Sequence, residues 1–276
     1  MSISKKLISN TVYLFLDWLI ATSMSFLYWL IAGKTLLPEE YGIVSTTTNL
    51  AIVLSNISLL GLNTAVWKLI PEYQARREYG KIISIIRFSL KIVTISALSF
   101  SFALILFSPF IQTAIKIPLA AILLSAITLF LISISSQFGM IIYAFQEMKK
   151  FLLSDSFSQL TKVLLSAILI FLGFKYFGPI IGFLLSFLVL ALIRLFLIPL
   201  KGKSKKIDEK KVIFDFAFPA FISNISWVLF INGQYVLLTI LKSTEATGLL
   251  TIALILTSPI AVIPNTLTSA LLPIIS

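Results

Sequence analysis

Apolar runs of about 20 residues, separated by short polar breaks, recur along the whole of this sequence. A helix rises 1.5 Å per residue, so each run can cross about 30 Å of hydrocarbon. Lipid offers no partner for an unpaired backbone group, which leaves helices or closed barrels as ways across. The alternating pattern of barrel strands is absent. Composition agrees: 58% of residues are hydrophobic and 12% charged, against roughly a quarter charged in a soluble domain. The chain reads as all-α, a polytopic membrane helical bundle of about eight transmembrane helices.

The predicted spans are 12–32, 43–66, 90–111, 118–144, 156–174, 179–199, 219–241 and 248–272. The fifth is the weakest. Only 12 residues separate Lys162 from Lys175, or about 18 Å of helix. That span must therefore begin near Ser156 and carry Lys162 inside it. The basic start resembles a secretory signal, but its apolar run is too long and no small-residue cleavage site follows, so it reads as a retained first helix.

Lys and Arg alternate in abundance from loop to loop. With the N-terminus in the cytoplasm, the inside segments carry Lys5, Lys6, Lys68, Arg76, Arg77, Lys81, Lys149, Lys150, Lys201, Lys203, Lys205, Lys206, Lys210 and Lys211. The outside segments carry only Lys34, Lys116, Lys175 and Lys242. This asymmetry predicts a cytoplasmic N-terminus in a cell membrane. It also accounts for the net charge of +11 as a membrane-retention signal facing anionic lipid, rather than as a nucleic-acid surface. The basic tract from Leu200 to Val212 is the longest polar break and separates six spans from the start of something new.

The chain has no Cys and no His. Disulfides, thiol chemistry, imidazole bases and Cys/His metal sites are thereby excluded. No GxxxxGK[ST] motif occurs, so no nucleotide cofactor is expected.

Two outside loops say the same thing. Leu36-Leu37-Pro38-Glu39-Glu40-Tyr41-Gly42 joins spans one and two; Leu241-Lys242-Ser243-Thr244-Glu245-Ala246-Thr247-Gly248 joins spans seven and eight. Six helices lie between them, an even number, so both loops face one side, as a parallel duplication requires. A generic turn between helices is the alternative. The Glu residues suit a helix N-terminus, and each Gly would let the chain turn where the next helix begins.

With Leu60-Gly61-Leu62-Asn63-Thr64-Ala65 and Ile70-Pro71-Glu72-Tyr73, the first loop resembles the opening hairpin of the lipid-linked oligosaccharide flippases of polysaccharide biosynthesis. These belong to the MATE/MOP exporter superfamily. Ala246-Thr247-Gly248-Leu249-Leu250-Thr251 and the closing Leu271-Leu272-Pro273-Ile274 resemble that family's seventh and eighth helices. The resemblance implies a MATE/MOP-like bundle: a six-helix lobe over 1–200, a cytoplasmic basic linker over 201–211, and the first two helices of an incomplete second lobe over 212–276. Family members have two lobes around a central cavity, so the chain reads as a truncated or split product.

Ionisable residues inside spans are costly and therefore candidates for function. Lys162 is one. It lies seven residues from Asp155, two turns along the same face, and either snorkels to the cytoplasmic interface or faces a cavity where it would meet a diphosphate. Asp17 is too short to snorkel far. It reads as a counter-ion to a neighbouring Lys, or as a proton or Na⁺ site. Arg87 and Lys91 share a stripe with Lys81 and Ser84 that reads as an interfacial extension of span three. Arg194 is near enough to its span's inner end to snorkel. Asn232 and Gln234, flanking Gly233, sit near mid-depth and either bond a neighbouring helix or line a sugar or ion site. Pro259 and Pro264 predict kinks in span eight.

The resemblance implies a transporter that moves a polyprenyl-diphosphate-linked oligosaccharide, with membrane lipids and an H⁺ or Na⁺ coupling ion as further partners. A cation or drug antiporter would want acids in the cavity, and Asp17 is the one acid clearly within a span. A membrane-embedded transferase would need a catalytic base or an acidic metal cluster, and only Glu39-Glu40 and Asp208-Glu209 are adjacent acids. The reading is therefore of a non-enzyme. An inactive fragment of such a transporter is the remaining alternative.

Overall fold

A computed structural model describes residues 3–199 and 202–257. α1 (Ile3–Thr35) passes directly into α2 (Pro38–Ser58). Pro38 suits the first helical turn because its missing N–H would have had no partner there. Glu40 Oε2 accepts from Leu37 N at 3.2 Å, capping the turn as its sequence suggested.

The second predicted span is not one helix. α2 stops at Ser58, and α3 (Leu62–Ala75) leaves at 51°. The cause is local: Leu60 and Gly61 both take positive φ, 50° and 72°, which no helix interior accommodates. Gly61 is required for a second reason, because a Cβ there would overlap the carbonyl oxygen of Ala217. The third predicted span also breaks. α4 (Tyr79–Leu106) ends before Ser108-Pro109, where the proline cannot donate to the preceding turn, and a short α5 (Ser108–Ile115) follows.

The remaining elements overlap their predicted places, although the helices of the fifth and seventh predicted spans begin eight and ten residues earlier than expected. These elements are α6 (Leu119–Ala144), α7 (Met148–Phe171), α8 (Phe177–Leu197), α9 (Glu209–Leu241) and α10 (Thr244–Thr257). α9 carries two wider, π-type stretches, at Val212–Ala217 and Leu229–Gly233. The far part of the predicted eighth span, with Pro259 and Pro264, lies outside the described residues. Among the described residues six helices are long and apolar enough to cross a membrane, or seven when the bent α2–α3 pair is counted as one span. The chain is a multi-pass membrane protein.

α2 is the axis of the bundle, touching α4, α6, α8 and α9. Its middle is polar and yet buried: Ser45, Thr46, Thr47, Thr48 and Asn49 are at most 5% exposed. Thr48 Oγ1 donates to Val44 O at 2.9 Å in the preceding turn, Thr46 Oγ1 meets Thr239 Oγ1 at 2.6 Å, and the Thr47 carbonyl accepts from Ser125 Oγ at 3.0 Å. Small polar residues allow helices this close where lipid gives no hydrophobic drive to associate. The opposite pattern coats the outside, where Phe196, Phe171 and Phe110 are 85%, 82% and 75% exposed and present themselves to acyl chains.

Gly42 and Gly248 do not turn the chain. Each sits inside its helix, and the two helices cross there. A Cβ on Gly42 would overlap the Thr244 carbonyl oxygen, and a Cβ on Gly248 would overlap the Pro38 carbonyl oxygen. Glycine is needed for close approach, not for a turn.

Candidate functional site

α7 packs against both α1 and α8 along the bundle, and four ionisable side chains of these helices come together. Asp155 and Lys162 share a face of α7, as their seven-residue spacing predicts, yet they do not pair. Asp155 Oδ2 instead accepts from Arg194 Nη2 at 2.6 Å. Arg194 does not snorkel. Only 4% of it is exposed, with Nη1 donating to Ser135 O at 3.0 Å and Nε to Ser154 Oγ at 3.2 Å. Its guanidinium lies 4.6 Å from the centroid of Phe151. Gly139 makes the space, since a Cβ there would overlap Nη1. A planar, five-donor cation is well suited to such a cage.

Lys162 has a different environment. It is 7% exposed, fourteen residues beyond the start of α7 at Met148, or about 21 Å along the helix. The side chain is turned into the bundle, toward α1. Nζ donates to Ser25 Oγ at 3.0 Å and stands 5.4 Å from the centroid of Tyr28. Tyr28 is itself held by donation to Pro179 O at 3.2 Å. Among the described residues no acid lies within 4 Å of the ammonium. The ammonium is therefore contacted by a hydroxyl and an aromatic face, with Asp155 within electrostatic reach but not in contact.

Asp17, on the same helix as Ser25, is half-buried and within electrostatic reach of Asp155 and Arg194. Its Oδ1 has no hydrogen-bond partner. It forms no ion pair with a Lys among the described residues, contrary to the counter-ion expectation. Ser25 has a second neighbour: with Ala21, Thr22, Phe26, Trp29 and Ile255 it lines a cavity of about 330 Å³ between α1 and α10. Ser25 thus stands between the buried ammonium and this space.

The other predicted site residues lie elsewhere. Arg87 and Lys91 are exposed on α4, and Arg87 Nη2 donates to Gly202 O at 3.2 Å on the segment between α8 and α9. Asn232 donates through Nδ2 to Asn49 Oδ1 at 2.8 Å, so it bonds a neighbouring helix. Gln234 is exposed and folds back on Ile231 O at 2.8 Å. Sequence reading passed over Ser25, Gly139 and Asn49. The signal for Asn49 was present in Ser45-Thr46-Thr47-Thr48-Asn49, a polar block inside an apolar run.

The family model described as "Polysaccharide biosynthesis protein" matches residues 7–276. The chain belongs to that family. No curated protein matches the sequence. Three solved structures share its fold. One is described as the inward-facing conformation of a multidrug resistance MATE family transporter of the MOP superfamily; it has TM-score 0.66 and 16% identity, over 88% of this chain and 60% of that one. A second, the MATE multidrug transporter DinF-BH in complex with a ligand, has TM-score 0.68 and 15% identity, over 93% and 61%. A third, named only protein A, has TM-score 0.75 and 16% identity, over 99% and 65%. This member of the polysaccharide biosynthesis family thus has a MATE-like helical bundle and spans about 60% of the length of the two MATE transporters.

Proposed function

We propose that the protein is a flippase carrying a polyprenyl-diphosphate-linked oligosaccharide across the cytoplasmic membrane, with its N-terminus inside the cell. The observation that carries this reading is Lys162, a deep cation whose contacts are Ser25 Oγ and the Tyr28 ring. Arg194 already has its carboxylate. A diphosphate in the adjoining cavity, lined by Ser25, would supply the contacting anion that Lys162 does not find among the described residues. The lipid tail would remain among the acyl chains, against the exposed Phe and Leu faces.

In this reading residues 1–200 form one lobe, 201–211 a cytoplasmic linker, and 212–276 the opening helices of a second lobe. The cavity between α1 and α10 then lies between lobes, where alternating access would expose it to each side in turn. Asp17 supports a role for a coupling ion, H⁺ or Na⁺, because its buried Oδ1 lacks a donor. The same atom favours the second reading, a cation or drug antiporter, in which Asp17 would hold the substrate's charge.

The test is complementation of surface glycan display with the full-length protein. Lys162→Ala abolishes display while its membrane level stays unchanged, and Lys162→Arg retains part of it. Normal display with Lys162→Ala removes the flippase reading of this site. Export of an organic cation that survives Lys162→Ala and is lost in Asp17→Asn establishes the antiporter instead.

A further inference from the structure

At the opposite end of the bundle from the Gly42–Gly248 crossing, residues 202–208, ahead of α9, lie along the start of α4. Lys205 N donates to Gly80 O at 3.0 Å, and Ser84 Oγ donates to the Lys205 carbonyl. The next residues of the segment close a cavity of about 230 Å³ against α3 and the first turns of α9. Its floor is apolar, formed by Leu69, Val212 and Phe216. Its rim carries Arg76, Lys81, Lys206 and Lys211 against two acids, Glu72 and Asp208.

The acids are already engaged. Glu72 pairs with Arg76 at 2.8 Å, Lys81 is held by Glu78 at 2.9 Å, and Asp208 Oδ1 accepts from Lys211 N at 3.1 Å. Neither Lys206 nor Lys211 has a carboxylate within 4 Å among the described residues. Two exposed lysines outside any ion pair among the described residues thus line one small cavity, with an arginine on its rim. One turn further, Phe214 and Phe218 are 66% and 52% exposed, giving α9 a lipid-facing side next to its basic side.

We propose that this cavity binds a phosphate group, and that its source is the headgroup of an anionic phospholipid in the leaflet at that face. The cavity is smaller than a drug-sized site, which suits a phosphate and not a whole oligosaccharide. Arg76, Lys81, Lys206 and Lys211 outweigh Glu72 and Asp208 and leave the rim net positive, which favours a compact anion. The exposed phenylalanines place acyl chains within reach of the same rim. A bound headgroup ties the linker to α3 and α9 and so couples the two sides of the cavity.

The experiment uses the full-length protein in a neutral detergent, with its thermal unfolding followed against added phosphatidylglycerol, phosphatidylcholine or inorganic phosphate. Phosphatidylglycerol raises the midpoint in the native protein, and phosphatidylcholine does not. Lys206→Gln/Lys211→Gln weakens the apparent phosphatidylglycerol affinity by about tenfold or more, without moving the lipid-free midpoint. The control Lys149→Gln/Lys150→Gln, which removes equal charge from the first turn of α7, keeps the native response. A shift with inorganic phosphate as large as with the lipid, lost in the same variant, upholds the phosphate site and makes its source soluble. An undiminished lipid response in Lys206→Gln/Lys211→Gln, or an equal response to phosphatidylcholine, overturns the proposal.

Discussion

Ser45 Oγ and Thr251 Oγ1 are 2.8 Å apart, although 206 residues separate them in the chain. The same offset joins Gly42 to Gly248 and Pro38 to Thr244, and those four meet at the crossing of α2 and α10 with their contacts exchanged. It also joins Trp29 to Tyr235 and Tyr41 to Thr247. Tyr41 Oη donates to Trp29 O at 3.3 Å, and Thr247 Oγ1 donates to Tyr235 O at 3.4 Å. Equivalent residues facing each other, each making its counterpart's contact, are the mark of a local two-fold relation. The repeated loop in the sequence is a self-complementary surface that has folded against its own copy.

That relation predicts symmetric damage. Gly42→Ala and Gly248→Ala each force a methyl group into a backbone carbonyl of the other helix and should cost about 1–3 kcal/mol. The two losses should be similar, and the double variant should lose less than their sum, because either methyl alone already separates the helices. Thermal unfolding of the solubilised protein reads this directly. A large loss for one glycine and none for the other would refute the exchanged contact.

The buried ion pair predicts an asymmetric result. Asp155→Ala leaves Arg194 charged and caged with its partner gone, which should cost about 3–5 kcal/mol. Membrane accumulation of the variant should fall sharply. Replacing both residues with apolar ones, as in Asp155→Leu/Arg194→Met, should recover most of it, because the uncompensated charge goes too. Gly139→Ala should resemble Asp155→Ala, since its methyl group would displace the guanidinium. Equal accumulation of the single and double variants would show that the pair contributes nothing to the fold.

The two results differ in how visible they were beforehand. Lys162 was legible as a membrane-embedded cation from helix length alone, because Lys175 lies too close for a span to start after it. The repeat was legible too, although its glycines serve contact and not turning. Arg194 was not legible. Counting residues leaves it near the end of α8, where a long side chain ordinarily reaches water, and only the packing of α7 on α8 reveals the carboxylate beside it. The break at Leu60-Gly61 escaped for a related reason: apolar content carries straight through it, and the left-handed turn is set by what α9 needs to approach.

Sidedness can be read by labelling, because the chain has no native Cys. Single variants Lys175→Cys and Lys242→Cys lie at exposed turns between long helices. Each should react with a membrane-impermeant maleimide added to intact cells. Lys203→Cys, in the segment between α8 and α9, should react only after the membrane is opened. The reverse pattern would invert the topology and place the basic linker outside.

Asn232 and Gln234 were paired as candidates, and the fold separates them by side. Asn232 Nδ2 bridges to Asn49 Oδ1 on α2, and Asn49 in turn donates to Ser45 O at 2.9 Å. Removing the bridge with Asn232→Ala should cost about 0.6–1.7 kcal/mol, the range for hydrogen bonds between membrane helices. Gln234 bonds only its own helix, at Ile231 O, from an exposed position. Gln234→Ala should therefore leave stability unchanged. Asn49→Ala should cost more, because it also removes the bond to Ser45 O, and the pair together should cost less than the sum, because the bond between the two amides is lost in either single variant. Additive losses in that double-variant cycle would mean that the two amides act separately and that the hydrogen bond between α2 and α9 does not hold these helices together.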